Sequence, residues 1–344
     1  MIEEIINPED RKPFVIQEFI VDKGQTPLRV DKFLTERIEN ITRSKIQRAI
    51  DEGKIWINDK YIKSNTKVQP GDKIEILSFE EPKIYEIIPE DIPIDIAYED
   101  DQILIVNKKP GMTVHPGVGN FSGTLSNALA FYLKNEIKVK NRHPYLVHRI
   151  DKDTSGLLVV AKNDNATRFL MEQFRAHTII RKYIALTWGS FDQTEGTIIG
   201  NITRSTQNRK RFRVTNEEGV GKYAVTHYKV LEDFTYTSLI ECQLETGRTH
   251  QIRVHMKYIG HPLFADETYG GDKILKGVLF SKYKQFVDNC FSIMPRQALH
   301  AKTLGFIHPG TRKEVFFDSE LPDDFSSVLE KWRNAHNAYT FDKD

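Results

Sequence analysis

Apolar residues recur with helical spacing in the first part of the chain. The pattern predicts two short amphipathic helices, over residues 31–40 and 43–52, and Thr42 is a suitable N-cap for the second. Gly53 follows as a helix stop, since glycine accepts the left-handed conformation that ends many helices. Two short strands separated by turns come next, so we expect a compact module of two helices and a hairpin.

The pattern changes from about residue 94 onward. Short apolar runs bounded by turn residues predict strands, and helical spacing returns near residues 169–174 and 250–259. We therefore expect an α+β fold in which a small domain precedes a larger one with a mostly antiparallel, mixed sheet. The predicted strands of the larger domain are 103–106, 145–150, 157–162, 183–187 and 237–244.

These patterns divide the chain into five segments. At 344 residues the chain suits two domains, because domains usually have about 100 to 200 residues. The predicted order is an N-terminal tail, a small domain, an acidic linker with prolines, a large domain and a C-terminal tail. Their predicted bounds are residues 1–27, 28–77, 78–93, 94–325 and 326–344.

The net charge of +1 conceals an uneven distribution of charge. Residues 28–77 carry eleven Lys or Arg against eight Asp or Glu, whereas residues 78–101 carry nine acids against one lysine. A second basic run surrounds Phe212. Each run alone would suit a solvated surface, but two on separate segments favour a polyanionic partner. The candidate contacts are Arg43, Lys45 and Arg48 in the first run and Arg209, Lys210 and Arg211 in the second.

The composition argues against several other classes of protein. Cys242 and Cys290 lie far apart with no Cys-x-x-Cys spacing, so neither a disulfide framework nor a zinc ribbon is expected. Helical geometry separates His250 from His255 by more than a turn, and no metal site is expected there. Walker, dinucleotide-binding and nucleophile-elbow motifs are missing, so we expect no nucleotide cofactor. No apolar run approaches the roughly 18 residues of a membrane helix, and a cytoplasmic protein without a membrane partner is expected.

Asp151 lies in a short polar loop between two apolar runs, within residues 145–162. Its plainest interpretation is a turn aspartate that bonds its own backbone. Residues 151–156 also match the first six positions of an EF-hand loop, but Lys162 stands where that loop needs a bidentate glutamate. A turn aspartate and a reactive carboxylate are the two interpretations that stay open.

Arg253 lies on a predicted helix that Thr249 caps and that ends at Gly260. It stands beside the apolar face to which Ile252 and Met256 belong. A guanidinium so close to a core keeps its charge and needs an anion, for which a nearby carboxylate is the natural partner. An ordinary surface arginine is the alternative.

Two resemblances bring these features together. Residues 28–77 resemble the S4 RNA-binding domain in their Arg-Val-Asp-Lys-Phe-Leu start, their Arg-Ser-x-Ile-Gln-x-x-Ile-x-x-Gly helix and their Pro-Gly-Asp turn. Residues 95–320 resemble the RluA family of RNA pseudouridine synthases, and an S4 domain in front is characteristic of the ribosomal branch of that family. Four motifs in order carry this second resemblance: His148-Arg-Ile-Asp-x-x-Thr-Ser-Gly-Leu, Arg181-Lys-Tyr-x-Ala, Thr246-Gly-Arg-Thr-His-Gln-Ile-Arg-x-His and Leu299-His-Ala.

The resemblance implies that the protein isomerises uridine to pseudouridine. In that reaction the bond between uracil N1 and the ribose breaks, the base turns and a bond forms through C5, so no redox cofactor, nucleotide or metal is required. Asp151 is implied as the nucleophile or as the base that deprotonates the ribose. Arg253 is implied as its charge partner, and Tyr183 as the aromatic group that stacks on uracil or accepts the C5 proton. His148 and Arg149 are expected to hold the RNA backbone or to fill the place of the extruded base.

The expected partner is RNA, bound by a monomer. Large-subunit ribosomal RNA is preferred because of the S4-like module, and transfer RNA is the alternative. A non-catalytic RNA-binding protein is the alternative from another class, but the joint presence of Asp151, Tyr183 and Arg253 argues against it. A glycosidase would need a second carboxylate about 5 to 9.5 Å from Asp151. Asp153 is the only neighbouring acid, and nothing in the sequence gives it an acid's environment.

Overall fold

The computed structural model describes residues 14–21, 26–38, 41–78, 87–117, 120–134, 145–205, 207–208, 211–217, 220–278 and 280–341. The chain forms two compact units, Met1–Glu86 and Ile87–Asp344. The helices are α1 (Val30–Arg37), α2 (Arg43–Asp51), α3 (Leu125–Tyr132), α4 (Asp164–Arg175), α5 (Gln251–Tyr258), α6 (Ser281–Ile293) and α7 (Asp323–Phe341). The strands are β1 (Phe14–Ile20), β2 (Leu28–Arg29), β3 (Ile55–Ile57), β4 (Lys60–Tyr61), β5 (Lys67–Val68), β6 (Lys73–Ser78), β7 (Ile96–Glu99), β8 (Ile103–Lys108), β9 (Tyr145–Leu146), β10 (Ser155–Ala161), β11 (Ile180–Trp188), β12 (Glu195–Arg204), β13 (Phe212–Thr215), β14 (Lys222–Asp233), β15 (Thr237–Leu244), β16 (Leu299–Ile307) and β17 (Glu314–Asp318).

The first unit contains the two helices that the sequence predicts. Thr42 caps α2, because its hydroxyl accepts a hydrogen bond from the backbone N–H of Lys45 at 3.3 Å. Gly53 follows the helix with φ +69°, as a helix stop requires. Both helices bury apolar side chains in a core shared with a sheet whose strand order is β1-β6-β3-β4.

Strand β1 corrects the predicted N-terminal tail. Residues 14–20 pair antiparallel with β6, although the prediction placed them in a tail over 1–27. The side chains of β1 are almost all exposed, so the strand lacks the alternation of buried and exposed residues from which an antiparallel strand is predicted. Its backbone hydrogen bonds to β6, which depend on tertiary pairing, hold it in place. Residues 1–13 lie outside the described part of the chain.

The described strands of the second unit form one sheet of eleven strands. Nine of them follow the order β13-β12-β14-β15-β11-β16-β10-β8-β7, while β17 pairs with β16 and β9 pairs with β10. Among the described pairs only β10 and β16 run parallel, and the others are antiparallel. The predicted α+β fold with a mostly antiparallel, mixed sheet is confirmed.

Strand β10 is apolar on both faces and is covered on both. Leu158 and Val160 pack in a cluster with α3 and α5, whereas Leu157 and Val159 pack in a cluster with α4. Successive side chains of a strand point to opposite faces, which explains this division. Helix α5, which carries Arg253, therefore lies on the same face of the sheet as Leu158.

Helix α7 corrects the predicted C-terminal tail over 326–344. Phe325, Val328, Leu329 and Trp332 are each no more than 2% exposed and pack in one cluster with Trp188. Their spacing is that of one helical face, and burying it makes the segment part of the large unit. The predicted domain boundary after residue 325 is therefore wrong.

The last part of the predicted linker over 78–93 packs against the second unit, so the linker ends earlier than predicted. Its part over residues 79–86 lies outside the described residues. In the part that follows, the carbonyl of Ile88 accepts a hydrogen bond from the side chain of Asn127 at 2.9 Å, and the Glu90 carboxylate accepts one from the Gly123 N–H at 3.0 Å. These contacts attach the end of the predicted linker to the second unit.

No helix in the described part of the chain combines the length and the apolar character needed to cross a membrane.

Candidate active site

Asp151 lies in the loop that leads into strand β10. Gly156, the second residue of that strand, has φ +109°, and a Cβ at this position would lie 2.2 Å from the carbonyl oxygen of Ala301. Only glycine fits so close an approach. Ala301 also pairs with Tyr183 of β11. Strand β16 therefore lies between β11, which carries Tyr183, and β10, which follows the Asp151 loop.

Arg253 connects two carboxylates. Its Nη1 donates to Oδ2 of Asp151 at 2.9 Å, and its Nε and Nη2 donate to the two oxygens of Asp266 at 2.7 and 2.9 Å. Arg253 is 5% exposed and Asp266 is fully buried, while the side chain of Asp151 is 20% exposed. The predicted anion partner of Arg253 is therefore Asp151 together with a second acid, Asp266, that the sequence did not reveal.

Arg253 remains protonated in this environment. Burial works against the charged form, but the hydrogen bonds and the negative charges of Asp266 and Asp151 raise the pKa of Arg253 above its ordinary value. The ring of Tyr269 adds a cation–π contact, with the guanidinium carbon 5.1 Å from the ring centroid. A permanent positive charge therefore lies within hydrogen-bonding distance of the Asp151 carboxylate.

Two further basic side chains hold the backbone of the Asp151 loop. Lys108 is 2% exposed, and its Nζ donates to the carbonyls of Lys109, Met112 and Lys152 at 2.7 to 2.9 Å. Arg296 donates to the carbonyl of Asp153 at 3.1 Å.

Arg296 in turn pairs through Nε and Nη2 with Asp324, the second residue of α7. Helix α7, most of which was predicted as a tail, therefore supports the loop that carries Asp151 through Asp324 in its first turn.

Asp151 and Arg253 open onto a cleft of about 290 Å³. That volume is at the lower end of small-molecule sites, which begin at roughly 300 Å³. The wall includes four cationic side chains and three carboxylates, so it is strongly polar. The lining residues are Thr113, Val114, Arg149, Ile150, Asp151, Lys152, Asp153, His250, Arg253, Ala265, Glu267, Thr268, Pro295, Arg296 and Gln297.

Tyr183 stands beside this cleft and is absent from its described lining. It is 7% exposed and packs in the same apolar cluster as Ile252, the residue before Arg253. Burial raises the pKa of Tyr183 above its ordinary value; the charge of Arg181 opposes this shift and that of Asp151 adds to it. The phenol is therefore neutral at physiological pH.

His148 is engaged inside the domain. Its Nε2 accepts a hydrogen bond from the Val159 N–H at 3.0 Å, and its ring stacks on Phe174 at 4.8 Å. Burial, with a contribution from Arg181, lowers the pKa of His148 to about 3, so the ring is neutral. This placement removes the reason for expecting His148 to hold RNA phosphates. Arg149, by contrast, is exposed and lines the cleft.

The basic residues of α2 differ from one another in their contacts. Arg43 pairs at 2.9 Å with Asp31, a fully buried carboxylate that also accepts hydrogen bonds from Arg29 and Gln47. Arg48 pairs with Glu52 one turn along the helix, and its side chain is 82% exposed. Lys45 is exposed on the same helix.

In the second basic run, Arg211 is exposed directly before β13. The predicted contacts Arg209 and Lys210 lie outside the described residues.

Two details of α5 differ from the prediction. The residue before the helix is His250, in a left-handed conformation with φ +56°, rather than Thr249 as an N-cap. The helix ends at Tyr258, and Gly260 follows with φ +87°. His250 lines the cleft and its Nε2 lies 3.9 Å from Oδ2 of Asp151.

Sequence reasoning missed Asp266, Lys108 and Arg296. Asp266 and Arg296 lie 13 and 43 residues along the chain from Arg253, in segments where no helical or strand pattern relates them to it. Lys108 is the last residue of an apolar strand, and from the sequence alone it is indistinguishable from a surface lysine. In the structure it is buried. The sequence signal that could have drawn attention to Lys108 is its position after Asn107 at the end of the apolar run 103–106, directly before the predicted turn at 109–111.

Comparisons with known proteins agree with this geometry. Residues 102–258 match the family described as RNA pseudouridylate synthase, and residues 28–74 match the S4 domain. An uncharacterized RNA pseudouridine synthase of Chlorobaculum parvum is 46% identical over 322 residues, covering 92% of this chain and 98% of that protein. The ribosomal large subunit pseudouridine synthase D of Zymomonas mobilis is 40% identical over 308 residues, covering 88% and 92% of the two chains.

A solved structure is also similar. It is the human RNA pseudouridylate synthase domain containing 4, with a TM-score of 0.56 and 25% identity, over 70% of this chain and 93% of that one. The fold and these similarities together define an enzyme that acts on RNA. The chain belongs to the RNA pseudouridine synthases and carries an S4 domain ahead of the synthase domain.

Proposed function

We propose that this enzyme isomerises uridines of large-subunit ribosomal RNA, with Asp151 as the reactive carboxylate. The observation that carries the proposal is the Asp151–Arg253 pair at the mouth of a polar cleft, in a chain that also has an S4 domain. The name of the Zymomonas mobilis relative supports the choice of large-subunit RNA. Transfer RNA is the alternative substrate within the family.

Asp151 suits either of the two roles that the reaction offers. As a nucleophile its carboxylate would attack the ribose or the base, and as a base it would remove a ribose proton. Arg253 holds the Asp151 carboxylate in place in both cases, because its Nη1 donates a hydrogen bond to Oδ2 at 2.9 Å. The basic side chains of Lys108 and Arg296 hold the loop, so that binding does not have to order it.

Tyr183 is proposed to stack on the uracil once the base has entered the cleft. Its neutral phenol favours this role over that of a proton acceptor, because a raised pKa disfavours the phenolate. Tyr183→Phe and Tyr183→Leu separate the two roles. Stacking predicts that the Phe variant keeps most of its activity and that the Leu variant loses it, whereas proton transfer through the hydroxyl predicts that both fail.

The target uridine has to leave the folded RNA to reach Asp151. Extrusion of a base costs a few kcal/mol, and stacking on an aromatic or guanidinium plane returns about 1 to 3 kcal/mol per base. Arg149, exposed at the edge of the cleft, is proposed to contact the RNA near the extruded base. Arg43, Lys45, Arg48 and Arg211, which do not line the cleft, are further proposed phosphate contacts, with Arg209 and Lys210 as predicted additions to them.

Pseudouridine mapping tests the choice of RNA. RNA from cells that lack the gene is compared with RNA from cells complemented with the wild type or with Asp151→Asn. We expect the loss of pseudouridine at sites in large-subunit RNA, restored by the wild type and not by the variant. Loss confined to transfer RNA would assign the enzyme to the alternative substrate, and an unchanged map would contradict the proposed activity in these cells.

We further propose that the enzyme works as a cytoplasmic monomer. Asp151, Arg253 and Asp266 meet within a single chain, so the carboxylate–guanidinium pair can form without a second copy. Light scattering of the active protein is expected to give a mass near 39.9 kDa. A mass of twice that value in the active fraction would contradict the monomer.

A further inference from the structure

His250 stands at the junction between Asp151 and the first turn of α5. It lines the cleft, and its Nε2 lies 3.9 Å from Oδ2 of Asp151. Its other ring nitrogen, Nδ1, lies 3.0 Å from the hydroxyl of Tyr269. The left-handed backbone at φ +56° turns the side chain toward these two neighbours, a conformation that few residues other than glycine, asparagine, aspartate and histidine adopt readily.

The hydrogen bonds of Tyr269 determine which nitrogen of His250 carries the proton. The Tyr269 hydroxyl accepts a hydrogen bond from the backbone N–H of Phe212 at 3.1 Å. Its own proton then needs an acceptor, because buried polar groups are hydrogen-bonded in nearly all proteins. Nδ1 of His250 is the acceptor within reach among the described residues. A neutral imidazole that accepts at Nδ1 carries its hydrogen on Nε2, on the side of Asp151.

The ring is neutral at physiological pH. Burial lowers the pKa of His250 below its ordinary value of 6.5, and the charge of Asp151 opposes this shift. The other charges near the ring, those of Arg253, Asp266 and Arg149, oppose one another. Nε2–H is therefore a fixed neutral donor that does not compete with Arg253 for the role of counter-ion.

The two oxygens of Asp151 are consequently unequal. Oδ2 accepts from Nη1 of Arg253 at 2.9 Å and faces Nε2 of His250, whereas no hydrogen bond to Oδ1 is found among the described residues. We propose that His250 is a positioning residue that directs Nε2–H toward Oδ2 of Asp151 and, with Arg253, leaves Oδ1 as the reacting oxygen. This assignment rests on the proposed role of Asp151, and it holds for the nucleophilic and the basic route alike.

The tautomer gives a test that does not depend on activity. Nitrogen-15 NMR of the full-length protein labelled at histidine distinguishes a protonated Nε2 from a protonated Nδ1, and His250→Asn assigns the signal. We expect the neutral Nε2–H form at pH 7, converted to a mixture of tautomers in Tyr269→Phe. A neutral Nδ1–H form, or a doubly protonated ring at pH 7, would overturn the proposal.

Matched variants test the consequence for catalysis. Asparagine tolerates the left-handed conformation but is too short to place a donor at the Nε2 position, whereas glutamine reaches it. We expect His250→Asn to lower the single-turnover rate about 10- to 100-fold with unchanged RNA affinity, since small displacements of a reactive group have effects of that size. His250→Gln is expected to recover part of the rate. His177→Asn, at an exposed histidine with φ +57°, is the control and should have no effect.

Two outcomes of this series contradict the assignment. A single-turnover rate for His250→Asn within twofold of the wild type would show that Nε2–H does not position Asp151. A Gln variant no faster than the Asn variant would show that the donor is not what matters. An active Asp151→Asn variant would contradict the proposed role of Asp151 but would leave the tautomer of His250 unaffected. Failure of the proposed function and failure of the His250 assignment are therefore distinguishable.

Discussion

Asp266 lies behind Arg253 and accepts two of its hydrogen bonds, from Nε at 2.7 Å and from Nη2 at 2.9 Å. These two buried hydrogen bonds fix the orientation of the guanidinium group, so that Nη1 of Arg253 points toward Asp151. The carboxylate of Asp151, proposed as the reactive group, is therefore oriented through an arginine by an acid that does not line the cleft. Asp266 also accepts a hydrogen bond from the backbone N–H of Tyr269 at 3.1 Å, which links it to the residue that contacts His250.

Asp266→Asn is expected to lower both stability and activity. The amide keeps the size of the side chain but removes the charge that offsets Arg253. Breaking a buried ion pair costs about 3 to 5 kcal/mol. Urea unfolding measures the loss, with Glu232→Gln as the control, because the pair of Glu232 with Arg333 lies at the surface, partly exposed to solvent, and such pairs contribute less than about 1 kcal/mol. Equal stability of the two variants would show that Asp266 does not stabilise Arg253.

Asp151→Asn is expected to abolish pseudouridine formation while RNA affinity stays within a few-fold of the wild type. The amide preserves shape and the hydrogen bond from Arg253 but acts neither as a nucleophile nor as a base. A tritium-release or mass-spectrometric assay on ribosomal RNA fragments measures the product, and filter binding measures affinity. Substantial turnover by this variant would remove Asp151 from the reaction.

Lys108 is expected to make stability depend on pH. Burial lowers the pKa of Lys108 to about 7 in the folded protein, with Asp153 opposing the shift, whereas an unfolded lysine titrates near 10.5. Between these values the unfolded state binds more protons, so stability rises with pH. Relative to Lys108→Met, the wild type should gain up to about 1.4 kcal/mol per pH unit from pH 7 to pH 9.

Urea unfolding at pH 7, 8 and 9 measures the slope for Lys108. A stability difference from Lys108→Met that stays constant over this range would mean that the three carbonyls keep the ammonium charged, because the folded and unfolded states would then bind the same number of protons. A rising difference and a constant difference are distinct, so the experiment decides between them.

The S4 domain is expected to supply affinity rather than chemistry. Removal of residues 1–86 takes away this unit and leaves the contacts of Ile88 and Glu90 with the synthase domain. The shortened protein should fold and convert uridine slowly in a short RNA, with weaker binding to large structured RNA. Each lost phosphate contact should reduce the slope of log K against log salt by about 0.7 to 0.9. An unchanged affinity and slope would show that the domain does not bind RNA here.

Arg43 and Lys45 are expected to behave differently although both lie on α2. Arg43→Ala removes a partner of the buried Asp31, so it should destabilise the S4 domain as well as weaken RNA binding. Lys45→Ala should weaken RNA binding alone, since this side chain is exposed. Thermal unfolding and salt-dependent binding of the two variants separate the effects. Equal melting temperatures would show that the pair of Arg43 with Asp31 contributes no stability.

The pair of Arg43 with Asp31 should also weaken in acid. Although burial opposes it, hydrogen bonds from Arg29, Gln47 and Arg43 lower the pKa of Asp31 to about 2. A carboxyl with a lowered folded pKa contributes stability above its unfolded pKa of about 3.9 and loses it as the pH falls toward 2. The melting temperatures of wild type and Arg43→Ala should therefore converge below pH 4.

Local patterns were sufficient for much of this protein. Helix α2, with its cap at Thr42 and its stop at Gly53, followed from propensities that act within a few residues. The α+β class followed from the mixture of short apolar runs and helical spacing. The family followed from motifs in which Asp151 and Arg253 stand at characteristic places, and the comparisons confirm it.

The tertiary structure decided what local patterns do not contain. The pairing of β1 with β6 depends on a partner strand, and β1 has no buried face of its own to predict it. Helix α7 does carry an apolar face in its sequence, with Phe325 and Trp332 on it. The sequence does not indicate what covers this face, and the tertiary structure shows that it packs in one cluster with Trp188.

The active site shows the same division. Asp151, Arg253 and Asp266 are separated by up to 115 residues, and their contact exists only because β10 and α5 pack on one face of the sheet. Lys108, Arg296 and His250 acquire their roles in the same way, from neighbours that only folding supplies. A motif identifies the residue types that a reaction needs, because each type has its own chemistry. Which atoms meet is decided by long-range packing, since no local propensity encodes contacts between residues so far apart in the chain.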